Sequence, residues 1–194
     1  MAKDIPTRAK LFDAAAALIG EQGLHATTVD QIVERAGVAK GTVYYHFKSK
    51  DELFQALLVE GLKRLADALR AEADSAASPS AALAGIVRAE LANILRYEAF
   101  ARLMMSQVWR ADSLWGEEAL RMLRDDIFAA IRLVIETGRS AGDFRADLDA
   151  EMAARVIFGM VAMAALGRDR LADPATAEDL APQLLDMALA MVCA

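Results

Sequence analysis

Apolar side chains recur along this chain at spacings of three and four residues almost from end to end, and no run alternates in the manner of a strand. Leu11, Ala14, Ala15, Leu18 and Ile19 form the first such stripe, which starts near Thr7 and is closed by Gly20 and Gly23. Thr28-Val29-Asp30-Gln31 has the spacing of a capping box, in which the hydroxyl and the side-chain amide satisfy reciprocal backbone amides. Val29, Ile32, Val33 and Ala36 then give one apolar face over two turns, Gly37 supplies a left-handed stop, and Val38 follows as an apolar plug. A short helix is expected over 40–47. Ser49-Lys50-Asp51-Glu52 is a second capping box, opening a long helix through Leu53, Leu57, Leu62, Leu65 and Leu69 to about Ala73. At ~1.5 Å per residue that rod is on the order of 30 Å long.

The clearest loop runs from Asp74 to Ser80, with Pro79 suited to a helix start. Helices are expected beyond it at about 80–97, 98–110 and 113–140, followed by a break at Ala141-Gly142-Asp143-Phe144-Arg145. Asp149 can cap a further helix reaching Gly167, and Asp173-Pro174 marks a turn. The last helix carries Pro182 inside it or at its start and ends near Met191. The pattern predicts an all-α protein with a three-helix helix-turn-helix domain over 1–50 and a larger helical domain over 51–194.

Composition narrows the class. With 56% hydrophobic and 26% charged residues in 194, the chain can bury a core. The single Cys193 excludes a disulfide framework and a multi-thiolate metal site. The longest apolar run, Val156 to Leu166, has 11 residues, short of the ~20 of a membrane span, so no membrane partner is expected. The charged start, Met1 to Arg8, lacks the apolar stretch of a leader, and the expected location is cytoplasmic. A net charge of −6 argues against a nucleic-acid partner until the chain is divided. Residues 1–50 carry seven basic and five acidic groups, net +2, whereas the rest is net −8.

That small basic head holds the candidate chemistry. Val43 and Phe47, four apart, can pack the short helix onto the other two, leaving Lys40, Gly41, Thr42, Tyr44, Tyr45 and His46 on the remaining surface. They offer a cation, a bare backbone, a hydroxyl, two phenols and an imidazole, groups that donate to phosphate oxygens or base edges. Lys48 and Lys50 add charge at a helix start, where backbone amides also favour phosphate. A helix-glycine-helix turn also occurs in helical proteins that never touch DNA, and a non-DNA-binding interaction protein is the competing reading.

The wording of the segment from Thr27 to Leu53, including Ala36-Gly37-Val38-Ala39-Lys40-Gly41-Thr42-Val43-Tyr44-Tyr45-His46-Phe47, closely resembles the DNA-binding signature of the TetR family of bacterial transcriptional regulators. Ile-Gly-Glu-Gln-Gly at 19–23 also resembles that family's first helix ending, and Ala141 to Asp149 its connection into the penultimate helix. The resemblance implies that Thr28 touches a phosphate, that Lys40 and Gly41 approach bases, and that Thr42, Tyr44, Tyr45, His46 and Lys50 mostly hold the DNA backbone. Ala39 departs from the family pattern, where a capping residue is common; the missing hydroxyl should cost the recognition helix on the order of 1 kcal/mol.

The same resemblance implies that 51–194 form a ligand-binding and dimerisation domain. Tyr97, Phe100, Met104, Met105, Trp109, Met122 and Phe128 concentrate large, adaptable side chains suited to a sizeable apolar ligand, and equally suited to filling a core. Arg102, Arg110, Arg121 and Arg124 can meet an anionic ligand or pair with Glu98, Glu117 and Asp125 on the surface. The apolar helix over 150–167, rich in Ala and Gly, and the last helix at about 175–192 are the candidate homodimer interface. His25 and His46 have no second histidine at ligand spacing, and no phosphate-binding glycine loop is present. No enzymatic activity, metal or cofactor is therefore expected. The expected function is that of a ligand-responsive repressor, or alternatively an activator, binding a palindromic DNA operator as a homodimer.

Overall fold

A computed structural model of the chain describes residues 4–41, 43, 47–107, 116–167 and 177–193, and every regular element among them is helical, as the apolar spacing predicts. The helices are α1 (Asp4–Ala26), α2 (Val29–Ala36), α3 (Lys50–Ser75), α4 (Pro79–Arg96), α5 (Glu98–Gln107), α6 (Glu117–Met122), α7 (Ala129–Ala141), α8 (Ala150–Gly167) and α9 (Ala177–Val192). A π-helical turn, Leu123–Phe128, separates α6 from α7. The chain divides into two compact units: Met1–Lys63 with Tyr97–Leu120, and Arg64–Arg96 with Arg121–Ala194.

The first unit is built on α1 and α2 with the beginning of α3 and with α5. Leu11, Phe12, Ala15, Ile32, Leu53, Phe54, Leu57 and Leu58 are among its most deeply buried side chains. Each full burial of such a group contributes about 1.5–3 kcal/mol. Phe12 meets the edges of Tyr97 and Phe100 at centroid separations of 5.0 and 4.9 Å. Its ring also lies against the bare backbone of Gly61, where a Cβ would stand 2.8 Å from Phe12 Cε2. The core of this unit is therefore not confined to the first fifty residues.

The expected end of α1 needs correction in one respect. The helix runs through Gly20 and breaks only at Gly23, whose φ of 80° and ψ of 166° are non-helical. A glycine inside a helix weakens it by about 1 kcal/mol but leaves its hydrogen bonds intact, so Gly20 alone does not stop it.

In the second unit α4 packs against α7, α8 and α9. Ser78 accepts the Ala81 amide at its Oγ (3.2 Å), and Pro79 opens α4 as expected. At the other corner Gly142 is left-handed (φ 80°), and the Asp143 and Phe144 amides donate to the Gly138 carbonyl at 2.9 and 3.1 Å. The turn folds the Phe144 ring onto Gly138 so closely that a Cβ there would fall 2.1 Å from Phe144 Cδ2. Asp149 then caps α8, accepting from the Glu151 and Met152 amides at 3.0 and 3.1 Å.

The unbroken helix expected over 113–140 is instead divided by the π turn, and the burial pattern gives the reason. Met122 and Ile127 are both buried, five residues apart, before Ala130, Ile131 and Val134 resume the α spacing. A continuous α-helix would bring Asp126 round to the core; the extra residue places Ile127 there. Asp126 stays at the surface, where it pairs with Arg70 of α3.

Helix α8 also departs from the composition argument. Its 18 residues have a mean hydropathy of 1.5 and are long and apolar enough to cross a membrane by those criteria alone. Its two faces differ, however. Ala153, Ala154, Ile157, Val161 and Ala165 are buried in the unit, whereas Met152, Val156 and Met163 are 54%, 46% and 63% exposed. The turn expected at Asp173-Pro174 lies outside the described residues.

Candidate nucleic-acid interface

The capping box expected at the start of α2 is formed in full. Thr28 Oγ1 accepts the Gln31 amide at 3.2 Å, and Gln31 Oε1 accepts the Thr28 amide at 2.9 Å. The Thr28 hydroxyl itself donates to Gln31 Oε1 (3.1 Å), and Gln22 Nε2 donates to the same oxygen at 3.0 Å. Beneath it, fully buried Thr27 donates to the Gly23 carbonyl at 2.7 Å, tying the kink of α1 to the start of α2. Gly37 ends α2 with φ 63°, and the Val38 amide reaches back to the Val33 carbonyl at 3.2 Å.

Lys40, Gly41 and Val43 are helical, Val43 is 1% exposed, and the Phe47 amide closes a turn on the Val43 carbonyl at 2.8 Å. Of the residues expected in a short helix over 40–47, Val43 is thus buried, with Lys40 and Gly41 outside. Thr42, Tyr44, Tyr45 and His46 lie outside the described residues.

Two of the three cations expected at this surface, Lys40 and Lys50, already have partners. Lys40 Nζ pairs with Asp30 in the first turn of α2 at 2.6 Å. An exposed pair of this kind is worth only about 0–1 kcal/mol, so a phosphate or a guanine edge can displace the carboxylate. Lys50 is half-buried; its ammonium donates to the Leu24 carbonyl at 3.2 Å and stands 5.6 Å from the Phe54 ring centroid. The second capping box differs from the expected form in one bond. Ser49 Oγ accepts the Glu52 amide (3.1 Å), but the Glu52 carboxylate takes the Lys48 amide at 2.8 Å. Asp30, Gln22 and Leu24 were not singled out by sequence reasoning, because their partners lie 9–26 residues away.

The candidate ligand residues fall into both units. Tyr97, Phe100, Met104 and Met105 are in the first, where Tyr97 also donates to Asp13 at 3.3 Å. Met122 and Phe128 are in the second, where half-buried Phe128 meets Phe158 edge-on at 5.4 Å. Trp109 and Arg110 lie outside the described residues. Arg102 pairs with Glu98, and Arg124 with Asp125, whose carboxyl that hydrogen bond holds below its usual range. Among the described residues no group of three or more His, Cys, Asp or Glu side chains could hold a metal ion.

A capped helix, a left-handed glycine turn and a second helix that presents Lys40 and Gly41 outward define a helix-turn-helix DNA-binding protein. Residues 11–57 match the family described as bacterial regulatory proteins, tetR family, and residues 76–166 match the tetracyclin repressor-like C-terminal domain. The HTH-type transcriptional repressor KstR2 of Mycobacterium tuberculosis is 32% identical over 153 residues, covering 77% of this chain and 75% of that protein. The solved structure of ketosteroid transcriptional regulator KstR2 of Mycobacterium tuberculosis superposes with a TM-score of 0.66 at 28% identity, covering 96% of this chain and 95% of that one. FadR from Bacillus subtilis in complex with stearoyl-CoA shares the fold, with a TM-score of 0.77 at 20% identity over 93% of this chain and 97% of that one. The chain belongs to the TetR family. It is a ligand-responsive, DNA-binding regulator of transcription.

Proposed function

We propose that the protein is a repressor that binds a palindromic operator as a homodimer and leaves it when an apolar small molecule occupies the second unit. The observation that carries the DNA half is the seating of Lys40 and Gly41 on the outer face of a helix fixed by buried Val43 and by the Gly37 turn. In this reading Lys40 and Gly41 approach base edges in the major groove. Thr28 reaches a phosphate, and Thr42, Tyr44, Tyr45, His46 and Lys50 hold the DNA backbone.

The homodimer is supported by the outward stripe of α8. Met152, Val156 and Met163 recur on one side, and a Cβ on Gly159 of the same stripe would meet nothing within 4 Å. Met187 of α9 is 58% exposed as well. Two such faces from two subunits form a four-helix interface, with Gly159 allowing close approach. An effector with a large apolar part is supported by the relatives, one described as a ketosteroid transcriptional regulator and one in complex with stearoyl-CoA, which joins a long acyl chain to a charged headgroup. Met122 and Phe128 are its proposed contacts in the second unit; Tyr97, Phe100, Met104 and Met105 belong to the first unit, and Trp109 lies outside the described residues. Release follows if the occupied state favours a head spacing that no longer matches grooves about 34–36 Å apart.

The test is a gel shift on DNA selected by the purified protein from the region around its own coding sequence. Lys40→Ala should weaken specific binding at least about tenfold, the value of one lost base contact. Equal binding by Lys40→Ala and the unaltered chain would remove Lys40 from the interface. Absence of any selected site at low salt would overturn the operator reading.

A further inference from the structure

Outside the DNA interface one side chain breaks the chemistry of its surroundings. Glu90 lies in the middle of α4, on the buried stripe of Leu83, Ile86, Val87, Leu91 and Ile94, and is 0% exposed. Neither of its carboxyl oxygens has a hydrogen-bond partner. Among the described residues the only other buried polar side chain is Thr27 in the first unit, and its hydroxyl is satisfied by the Gly23 carbonyl. An acid sealed in an apolar helix packing costs a lost solvation shell and returns no bond, so the position is held at the expense of stability. A second subunit cannot repair it, because a side chain with no exposed surface is out of reach of any docked face. Only something that enters the core can.

We propose that Glu90 is the polar anchor of an effector site in the second unit, taking the hydroxyl or carbonyl oxygen of an otherwise apolar, uncharged small molecule. This rests on the reading of that unit as the effector-binding one. Desolvation pushes the Glu90 carboxyl well above its ordinary range and so favours the uncharged acid, which has one O–H donor and one carbonyl acceptor. That pair of functions matches an alcohol, which can donate and accept, or a ketone, which accepts. An anionic headgroup would bring a costly unpaired charge into the same apolar volume. An amine would require burying an ion pair, which seldom repays its desolvation. The rest of the stripe is hydrocarbon and suits the body of the molecule.

The full-length protein is crystallised and soaked separately with phenol, cyclohexanone, toluene and hexanoate, and affinities are measured by calorimetry. Phenol and cyclohexanone should seat with their oxygen within hydrogen-bond distance of the Glu90 carboxyl, and phenol should bind on the order of tenfold tighter than toluene. Glu90→Gln, which keeps a donor and an acceptor, should retain that preference; Glu90→Leu should reduce it to about one. Ordered water alone beside Glu90, toluene binding as well as phenol, or hexanoate as the preferred probe would each overturn the proposal. The preference in the unaltered protein decides the matter even if Glu90→Leu fails to fold. Operator binding by the unaltered protein is read separately in the gel shift. Its absence would sink the repressor reading while leaving phenol at Glu90 in place.

Discussion

The two units handle their polar and apolar groups in opposite ways. In the first, Thr27, Thr28, Gln31, Gln22, Lys40 and Lys50 all find partners within the chain. Those bonds are mostly at the surface, where their energy is small and a phosphate can take them over. In the second, a carboxyl is buried with nothing to bond, and five large apolar side chains, Leu133, Met152, Val156, Met163 and Met187, are exposed. The described part of the head satisfies these groups as a folded object, and in the proposed function it exchanges those partners for DNA. The body is unsatisfied in two places, one facing out and one facing in, which fits a unit that needs a second copy of itself and a small molecule.

The largest expected effect comes from attacking the outward face. Val156→Glu combined with Met163→Glu alters side chains that are exposed within the single chain, so the subunit should still fold. The double variant should sediment as a monomer and lose operator affinity on the order of 100-fold, the gain that linking two weak sites provides. A variant that stays dimeric and binds the full operator would move the interface elsewhere and remove half of the contrast between the units.

Gly138→Ala is next. The added methyl would overlap the Phe144 ring, and the surrounding turn is held by two amides on the Gly138 carbonyl. A cost of about 3 kcal/mol is expected in denaturant unfolding, at the upper end for overpacking. Little loss would mean that Phe144 swings clear and that the corner before α8 is not rigid.

Glu90→Leu should act in the opposite direction, raising stability by about 1–3 kcal/mol at neutral pH because it removes an unsatisfied buried acid. The sign of the pH dependence follows from the raised carboxyl. Below its ordinary value of 4.5 the acid is neutral whether folded or unfolded, and its contribution is fully present. As pH rises, the unfolded chain ionises while the folded one holds its proton. Stability therefore falls until the folded group ionises too. The gap between the unfolding curves of the two proteins should be small and constant below about pH 4 and widen above about 5. Parallel curves across that window would show that Glu90 is charged in the fold and paired after all.

How far the sequence foretold these features depends on the range over which each is decided. Thr28 with Gln31, Gly37 with Val38, and Asp149 were readable because caps are settled by residues two to five apart. The pairing of Phe12 with Tyr97 and Phe100, and of Lys50 with Leu24, depends on tertiary contact and leaves no local periodicity to read. The π turn left a trace, the five-residue step from Met122 to Ile127, which an α-helical template passes over. Glu90 left one too. It occupies the apolar position between Val87 and Leu91 in helical register, a misplaced polar residue that a search for catalytic groups does not flag.

The smallest effect separates two uses of one hydroxyl in the head. Thr28→Ala removes the acceptor of the Gln31 amide and should cost about 1 kcal/mol of stability, whereas Thr28→Ser should cost little. In the free protein the Thr28 proton is given to Gln31 Oε1, and on the operator it would turn to a phosphate oxygen. The amide-accepting lone pair is not consumed by that change, so cap and contact are compatible. Operator affinity measured well below the unfolding temperature is insensitive to a stability loss of this size. Any remaining weakening by Thr28→Ala therefore reports the phosphate contact alone. It should be a few-fold, be restored by serine, and appear on specific and non-specific DNA alike. If affinity is unchanged while the stability loss appears in full, Thr28 is a cap and nothing more, and the phosphate contact belongs to another group in the head.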